Sequence, residues 1–326
     1  MTNNEDQYRD ALREIARVAG RFTEDADHSD GGPSSEDTGC RIMALPSRLR
    51  EKAAAYAAHI NPVNAPLQEL SGLPDDPLSL TITTAKYWGP RPRRLTVSFM
   101  ESTPADLRTR IVSHLNAWTA TACISFVQTS GTGEVRISRG PGGYYSYLGT
   151  DIKLIPTNRQ TMNLQNFTMN TPDSEYRRVI RHEAGHTLGF PHEHMRRALV
   201  NRIDPAKAYE YFGRTQGWSK TMVDQQVLTA LDERSIVGTP ADQDSIMCYQ
   251  LPGTITKDGR PIRGGTDINA TDRTFAGLIY PKVQAAIEAT DQDAATATEY
   301  DWDASEDVTP EDDWASSENG LVSSAG

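Results

Sequence analysis

Cysteine is scarce in this chain of 326 residues, and long apolar runs are missing. The three cysteines, at positions 40, 123 and 248, are too few and too scattered for a disulfide framework, so the sequence predicts free thiols in a reducing compartment. No segment has the ~18 consecutive apolar residues of a membrane span, and we expect no membrane partner. Residues 1–6 carry no basic or apolar signal region, which predicts a cytoplasmic protein or one exported by a non-classical route.

Basic residues are missing from the last part of the chain. Residues 283–326 contain 12 Asp and Glu but no Lys or Arg, and residues 1–37 contain 10 acids against 4 bases. Residues 38–282 are mildly basic, with 22 acids and 29 bases. Acidic ends argue against binding to a nucleic-acid backbone, and we expect no nucleic-acid partner. The low complexity and high charge of residues 283–326 predict disorder.

The most informative stretch spans residues 182–193 and reads His-Glu-Ala-Gly-His-Thr-Leu-Gly-Phe-Pro-His-Glu. Its first part is predicted to continue a helix that begins after Pro172, with Ser174 as the N-cap residue. His182 and His186 are four residues apart, so their imidazoles lie on one face of that helix. Two nitrogen donors directed at one point are what a tetrahedral Zn²⁺ ion requires.

The residues that follow favour a third ligand. Gly189 permits the left-handed turn that ends a helix, so the returning chain can bring His192 to the same metal. Three neutral imidazoles leave a fourth position open for water, which is typical of a catalytic zinc site. Glu183 follows the first ligand and lies beside the metal, where its carboxylate can take a proton from water.

These residues carry a family resemblance. The run matches His-Glu-x-x-His-x-x-Gly-x-x-His, the metzincin signature, and with Phe190 and Glu193 it resembles the longer signature of the astacin family. Residues 245–249, Ser-Ile-Met-Cys-Tyr, resemble the astacin Met-turn. The resemblance implies a zinc-dependent endopeptidase with one Zn²⁺ per chain and with protein or peptide substrates. It also implies that Met247 lies beneath the zinc site and that the Tyr249 hydroxyl serves as a labile extra ligand that supports the oxyanion.

The predicted order of elements resembles the upper half of a metzincin. We therefore expect an α+β fold, with a mixed twisted sheet, an active-site helix above it and a mostly helical or irregular lower subdomain. The strand at residues 144–148 is expected to be the edge strand above the cleft, where an extended substrate can add as another strand, or else only to pack. The other predicted elements are strands at residues 95–100, 124–127, 135–138 and 161–164, and a helix with Thr103 as its N-cap that runs to about residue 117.

Four segments are predicted along the chain. They are an acidic N-terminal helix with a linker (1–39), an extension (40–84), a metzincin catalytic domain (85–282) and the acidic tail (283–326). The extension is either a structural wrap or a pro-segment that covers the cleft. Cys40 either ligates the zinc in a latent form, as a cysteine does in matrixin zymogens, or is a small buried apolar thiol. Asp75 and Asp76 offer a carboxylate that could also replace water on the metal.

Glu193 raises a separate question, because the resemblance implies that it pairs with the amino terminus of a processed enzyme. Met1 lies about 190 residues upstream. A buried unpaired carboxylate is costly, so either the chain is cut near residue 85 or another cation pairs with Glu193. His194 is one residue beyond the ligand spacing, and we do not expect it to bind the metal.

Two alternative functions remain at this stage. One is a zinc-containing module that binds peptides without catalysis, although the intact Glu183 argues against it. The other is an effector protease of narrow specificity that uses the same chemistry. The sequence does not indicate the oligomeric state.

Overall fold

The computed structural model describes residues 40–65, 85–231 and 241–282. The predicted N-terminal helix, Asp75, Asp76 and the acidic tail lie outside the described residues. Within these ranges the predicted α+β fold is confirmed, with a mixed sheet, a helix carrying the histidine motif, and a mostly helical lower part. No helix in the described residues combines the length and hydrophobicity that a bilayer crossing requires.

The described strands form one mixed sheet. Its strands are β1 (Cys40–Met43), β2 (Arg93–Phe99), β3 (Ile124–Gln128), β4 (Val135–Ser138), β5 (Tyr144–Tyr147) and β6 (Met162–Leu164). Their spatial order is β1-β5-β6-β4-β2-β3. The pair β5–β6 is antiparallel, and the other neighbouring strands run parallel.

The helices flank the sheet and build the lower part. The helix with the histidine motif, α3, consists of α-helical residues Asp173–Glu175 and Arg181–Thr187 joined by a π-helical turn, Tyr176–Ile180. The other α-helices are α1 (Arg50–Ile60), α2 (Ala105–Leu115), α4 (Arg197–Val200), α5 (Pro205–Gln216), α6 (Lys220–Val223, followed by a π-helical turn, Asp224–Leu228) and α7 (Ala270–Ile279). The 3-10 helices are Ser47–Leu49, Pro62–Asn64, Asn116–Ala120, Gly149–Leu154, Glu193–Met195 and Gly253–Ile255.

Two predicted helix caps are wrong. Helix α2 begins at Ala105 and helix α3 at Asp173, and in each case the preceding proline occupies the cap position. Thr103 instead donates its hydroxyl to the Glu101 carbonyl, and Ser174 lies inside the first turn. Both prolines have ψ of 145°, so the chain stays extended through the proline and turns into the helix at the next residue.

Two apolar cores hold the molecule together, and the histidine motif lies between them. The upper core joins the sheet to α2 and α3 through side chains such as Leu95, Ile111, Trp118 and Ile180. The lower core packs α5 and α6 against the region after the Met-turn. It consists of Leu199, Ile203, Ala208, Phe212, Val223, Val227, Cys248, Leu251, Ile255 and Ile262.

The predicted edge strand is not at the edge of the sheet. Strand β1 pairs with β5 in parallel, with Cys40 opposite Tyr144 and Met43 opposite Tyr147. An uncovered strand edge presents unpaired backbone groups that readily accept another strand, and here the chain supplies that strand itself. The N-terminal extension therefore lies along the side of the cleft where a substrate was expected.

The rest of the described extension packs as part of the domain. In α1, Ala53 and Ala57 are buried, and the helix ends next to Asn64. The Asn64 amide donates to the carbonyls of Ala57 and Tyr87 at 2.9 and 2.7 Å, and its oxygen accepts from the Tyr87 N–H at 3.0 Å. These bonds fasten the extension to the start of the predicted catalytic domain.

Candidate metal centre

Three buried imidazoles lie close together. His182 and His186 lie on one face of α3, with ring centroids 4.6 Å apart. Helix α3 ends at Thr187. Gly189, with φ of 96°, then reverses the chain and brings the His192 ring to 4.7 Å from His186 and 5.3 Å from His182. The predicted turn and the predicted convergence of the three histidines are thus both present.

Backbone carbonyls fix the orientation of two of these rings. His182 Nδ1 lies 2.6 Å from the Ile246 carbonyl, and His186 Nδ1 lies 2.8 Å from the Phe190 carbonyl. With the ring proton donated to a carbonyl, each Nε2 presents a lone pair towards the centre. Burial lowers the pKa of His182 to about 4 and holds the pKa of His186 and His192 well below the usual value, so the imidazoles are neutral.

The donor set fits a zinc ion. His182 Nε2 is buried and has no hydrogen-bond partner among the described residues, while His186 Nε2 lies 3.1 Å from His192 Nε2. Unpaired buried nitrogens that face one another are costly unless a cation lies between them. Neutral imidazole is a preferred ligand of Zn²⁺.

The sulfur of Cys40 completes this group. Ligand atoms of Cys40 and the three histidines all lie within 4.8 Å of one another. The Cys40 Sγ lies 3.5 Å from His186 Nε2 and donates to Glu183 Oε1 at 2.9 Å. Burial and the neighbouring Glu183 carboxylate raise the pKa of this thiol well above its usual value. Cys40 thus faces a polar cluster, not an apolar core.

Glu183 lies directly beside the histidine cluster. Its side chain is fully buried, and Oε2 has no hydrogen-bond partner among the described residues. Burial raises the pKa of the carboxyl group to about 8, while the Cys40 hydrogen bond and the charges of Arg178 and Arg41 act in the opposite direction. The buried carboxyl group is therefore held beside the three histidines, with the Cys40 thiol as its hydrogen-bond donor.

The Met-turn forms the floor of the cluster. Met247 is buried against Gly185 of α3, and the preceding residue, Ile246, supplies the carbonyl that orients His182. Asp272 holds this turn, because its carboxylate accepts from Ser245 Oγ at 2.6 Å and from the Ile246 N–H at 2.9 Å. Sequence reasoning missed Asp272. The Asn-x-x-Asp pattern at residues 269–272 could have revealed it, because it forms the capping box of α7.

Tyr249 and His194 lie next to the cluster. The Tyr249 ring is 6.3 Å from the His192 ring and is partly exposed. His194 is buried, and its Nε2 donates to the Gln226 carbonyl at 2.9 Å. His194 is not in the group whose ligand atoms converge, which agrees with the expectation for this residue.

Comparison with known families decides the identity of the chain. The family model for astacin, a peptidase family, matches residues 81–260. The chain belongs to the astacin family. It is therefore a zinc metalloendopeptidase that binds one zinc ion and acts on proteins or peptides, and the predicted family, enzyme class and cofactor are confirmed.

One solved structure agrees with this assignment, and two further structures have lower TM-scores. A structure of myroilysin is 30% identical, with a TM-score of 0.58, and the match covers 62% of this chain and 98% of that chain. A second myroilysin structure is 33% identical over 60% of this chain and 86% of that chain, with a TM-score of 0.47. High choriolytic enzyme 1, a hatching enzyme zinc-protease from the medaka fish Oryzias latipes, is 20% identical over 57% and 88%, with a TM-score of 0.39. No curated protein sequence matches the chain.

Glu193 of this astacin-family protease already has a cation beside it. Arg196 Nη1 lies 3.5 Å from Glu193 Oε1, and the Asp242 N–H donates to the same oxygen at 3.1 Å. Burial raises the pKa of Glu193 to about 8, and the charge of Arg196 lowers it. The sequence left two partners open for Glu193, a new amino terminus near residue 85 or another cation. In this form of the chain the partner is a cation, Arg196.

Replacing Gly265 with alanine should loosen the Met-turn. A Cβ atom at this position would overlap the Ser245 carbonyl and approach the Ile246 nitrogen to 2.6 Å, so the turn that orients His182 must shift. We expect a loss of about 1–3 kcal/mol in the free energy of unfolding and weaker zinc binding, measured by denaturant titration and competition with a chelator. Gly213→Ala is the control, since a Cβ atom there would lie 3.8 Å from the nearest atom, the Trp218 carbonyl oxygen. Equal behaviour of the two variants would contradict this role.

Replacing Arg196 with methionine should leave the Glu193 carboxylate without its cation. We expect a loss of roughly 2–4 kcal/mol in the free energy of unfolding, because the Glu193 carboxyl group is largely buried and loses its cationic partner. Arg197→Met is the control. It changes the exposed neighbouring residue and should lower the free energy of unfolding by less than about 0.5 kcal/mol. The double variant Glu193→Gln with Arg196→Met should recover part of the loss in thermal or urea unfolding. An Arg196→Met chain as stable as the wild type would show that the pair is unimportant.

Proposed function

We propose that this protease hydrolyses peptide bonds with zinc held by His182, His186 and His192 and with Glu183 as the general base, and that the described form is latent. The observation that carries the proposal is the convergence of the three imidazoles with the Cys40 sulfur next to the Glu183 carboxyl group. Catalytic zinc sites keep one position open, whereas four protein ligands close the coordination shell.

Each residue has a distinct task in the proposed reaction. Zinc, when bound, supplies a Lewis acid that lowers the pKa of water and polarises the scissile carbonyl. The Glu183 carboxylate takes the proton from the attacking water and later delivers it to the nitrogen of the leaving amine. Its position supports this role, since Oε1 lies 2.9 Å from the Cys40 sulfur, which occupies the place next to the histidines. Tyr249 donates its hydroxyl to the developing oxyanion.

Strand β5 is the proposed docking edge for the substrate. Its pairing with β1 supports this role, because that edge already binds an extended segment through backbone hydrogen bonds. Such hydrogen bonds involve only backbone groups, so peptides of many different sequences can form them. This fits a protease that accepts extended segments of unfolded or flexible proteins.

Latency follows from the position of β1. Residues 40–43 occupy the docking edge, and the Cys40 sulfur takes the place next to the histidines that the attacking water needs. The two predictions for the extension therefore apply to different parts of it. Residues 44–65 form a structural wrap on the proposed catalytic domain, residues 85–282, whereas residues 40–43 form an inhibitory arm.

Zinc binding and catalysis should separate by mutation. Glu183→Gln should retain about one zinc per chain and lose at least about a hundredfold in turnover, because the proton acceptor is gone. His186→Ala should lose most of the zinc, measured by elemental analysis of purified chain, while His59→Ala, at an exposed histidine, should behave as the wild type. Normal hydrolysis by Glu183→Gln would contradict the proposed mechanism.

Removing the thiol should activate the full-length chain. Cys40→Ala should raise peptide hydrolysis by at least about tenfold, since loss of one metal ligand is worth more than about 1.4 kcal/mol, and activity should still depend on Glu183. Cys123→Ala is the matched control, because that thiol is half-buried and lies near the Pro90 carbonyl, away from the histidines. If Cys40→Ala and the wild type cleave a fluorogenic peptide at the same rate, the thiol does not hold the enzyme latent.

A further inference from the structure

The inhibitory arm is held from two sides. On one side it pairs with β5. On the other side, the Gln226 side-chain amide bonds both the N–H and the C=O of Ile42. The Ile42 N–H donates to Gln226 Oε1 at 3.2 Å, and Gln226 Nε2 donates to the Ile42 carbonyl at 3.2 Å. Since a backbone N–H makes one hydrogen bond, these groups of Ile42 face away from β5 and across the cleft.

Gln226 has a fixed position relative to the histidine cluster. It lies in the π-helical turn Asp224–Leu228 of the lower part, and its own carbonyl accepts from His194 Nε2 at 2.9 Å. His194 is two residues beyond the proposed ligand His192. The turn is held further by the bond from the Leu231 N–H to the Met195 carbonyl at 2.9 Å. The loop that carries the third histidine therefore also positions Gln226.

From this geometry we propose that Gln226 is a substrate-binding residue, which together with β5 forms a two-sided slot for the backbone of an extended peptide. The inference rests on the proposed peptidase function. Ile42 follows Cys40 by two residues, which is about 7 Å along an extended chain. Gln226 therefore binds the backbone of the residue that lies two positions after the residue next to the proposed metal site. In the active enzyme a substrate residue replaces Ile42 there.

A primary amide suits this task. It offers one acceptor and two donors, the complement of the N–H and C=O of a single backbone residue. Rotation by about 180° around its last torsion exchanges oxygen and nitrogen, so the same side chain can hold a strand of either direction. The contact is blind to the substrate side chain, as are the contacts made by β5.

The test on the substrate uses the full-length Cys40→Ala chain, in which the thiol is removed. A peptide substrate is compared with analogues in which one backbone N–H at a time is replaced by an ester oxygen. At one position two residues from the scissile bond, the ester should lower kcat/KM by about fivefold to tenfold, the effect of one net hydrogen bond. Adding Gln226→Met should abolish this penalty, whereas Gln225→Met, at the exposed neighbour, should retain it. Residues 40–43 compete with both peptides equally on any one variant, so this competition does not change the ratio of the two kcat/KM values.

The test on the arm does not need hydrolysis. In the zinc-loaded chain that retains Cys40, Gln226→Met should raise the rate of Cys40 alkylation several-fold, measured by peptide mass mapping, and Gln225→Met should leave it unchanged. Gln226→Ala, which removes both the acceptor and the donor of the amide, repeats both tests if Gln226→Met does not fold. Equal ester profiles with and without Gln226 would overturn the substrate role, even if alkylation changes. If no chain cleaves the parent peptide, the proposed function fails, and alkylation alone then decides whether Gln226 holds the arm.

Discussion

Burial of neutral imidazoles around one point is the constraint on which the rest of this structure depends. A buried polar nitrogen without a partner costs several kcal/mol, and the cost is repaid when the nitrogens bind a cation. His182 and His186 each donate the Nδ1 hydrogen to a backbone carbonyl, that of Ile246 or of Phe190, so that Nε2 presents its lone pair to the cation. Both carbonyls belong to segments that follow α3 in sequence, so the orientation of the rings depends on residues outside the helix that carries His182 and His186.

Several contacts hold the segments that follow α3 in place. The Met-turn passes beneath α3 and is fastened to α7 by Asp272, while Glu193 is held by Arg196 and by the Asp242 backbone. The extension adds a third connection across the cleft, from β5 through β1 to Gln226. Under the proposed latency, departure of the inhibitory arm opens the docking edge and the position beside Glu183 at the same moment.

The sequence predicted those features that depend on local spacing. The histidine positions follow from helical periodicity and from Gly189, and the strand at residues 144–148 follows from its flanking turns. The sequence did not predict β1, because residues 40–43 become a strand only through pairing with a segment about 100 residues away. The partner of Glu193 was likewise hidden, since Arg196 is one of several nearby cations and only the fold selects it. Both cap errors arose where a proline took the cap position.

The coordination of zinc in the intact chain tests the central claim most directly. The claim is that Cys40 and three histidines share one ion in the latent form. X-ray absorption of the zinc-loaded, full-length chain should show three nitrogen scatterers at about 2.0 Å and one sulfur scatterer at about 2.3 Å. The sulfur should disappear in Cys40→Ala and persist in Cys123→Ala. A wild-type spectrum with only nitrogen and oxygen ligands would contradict the account.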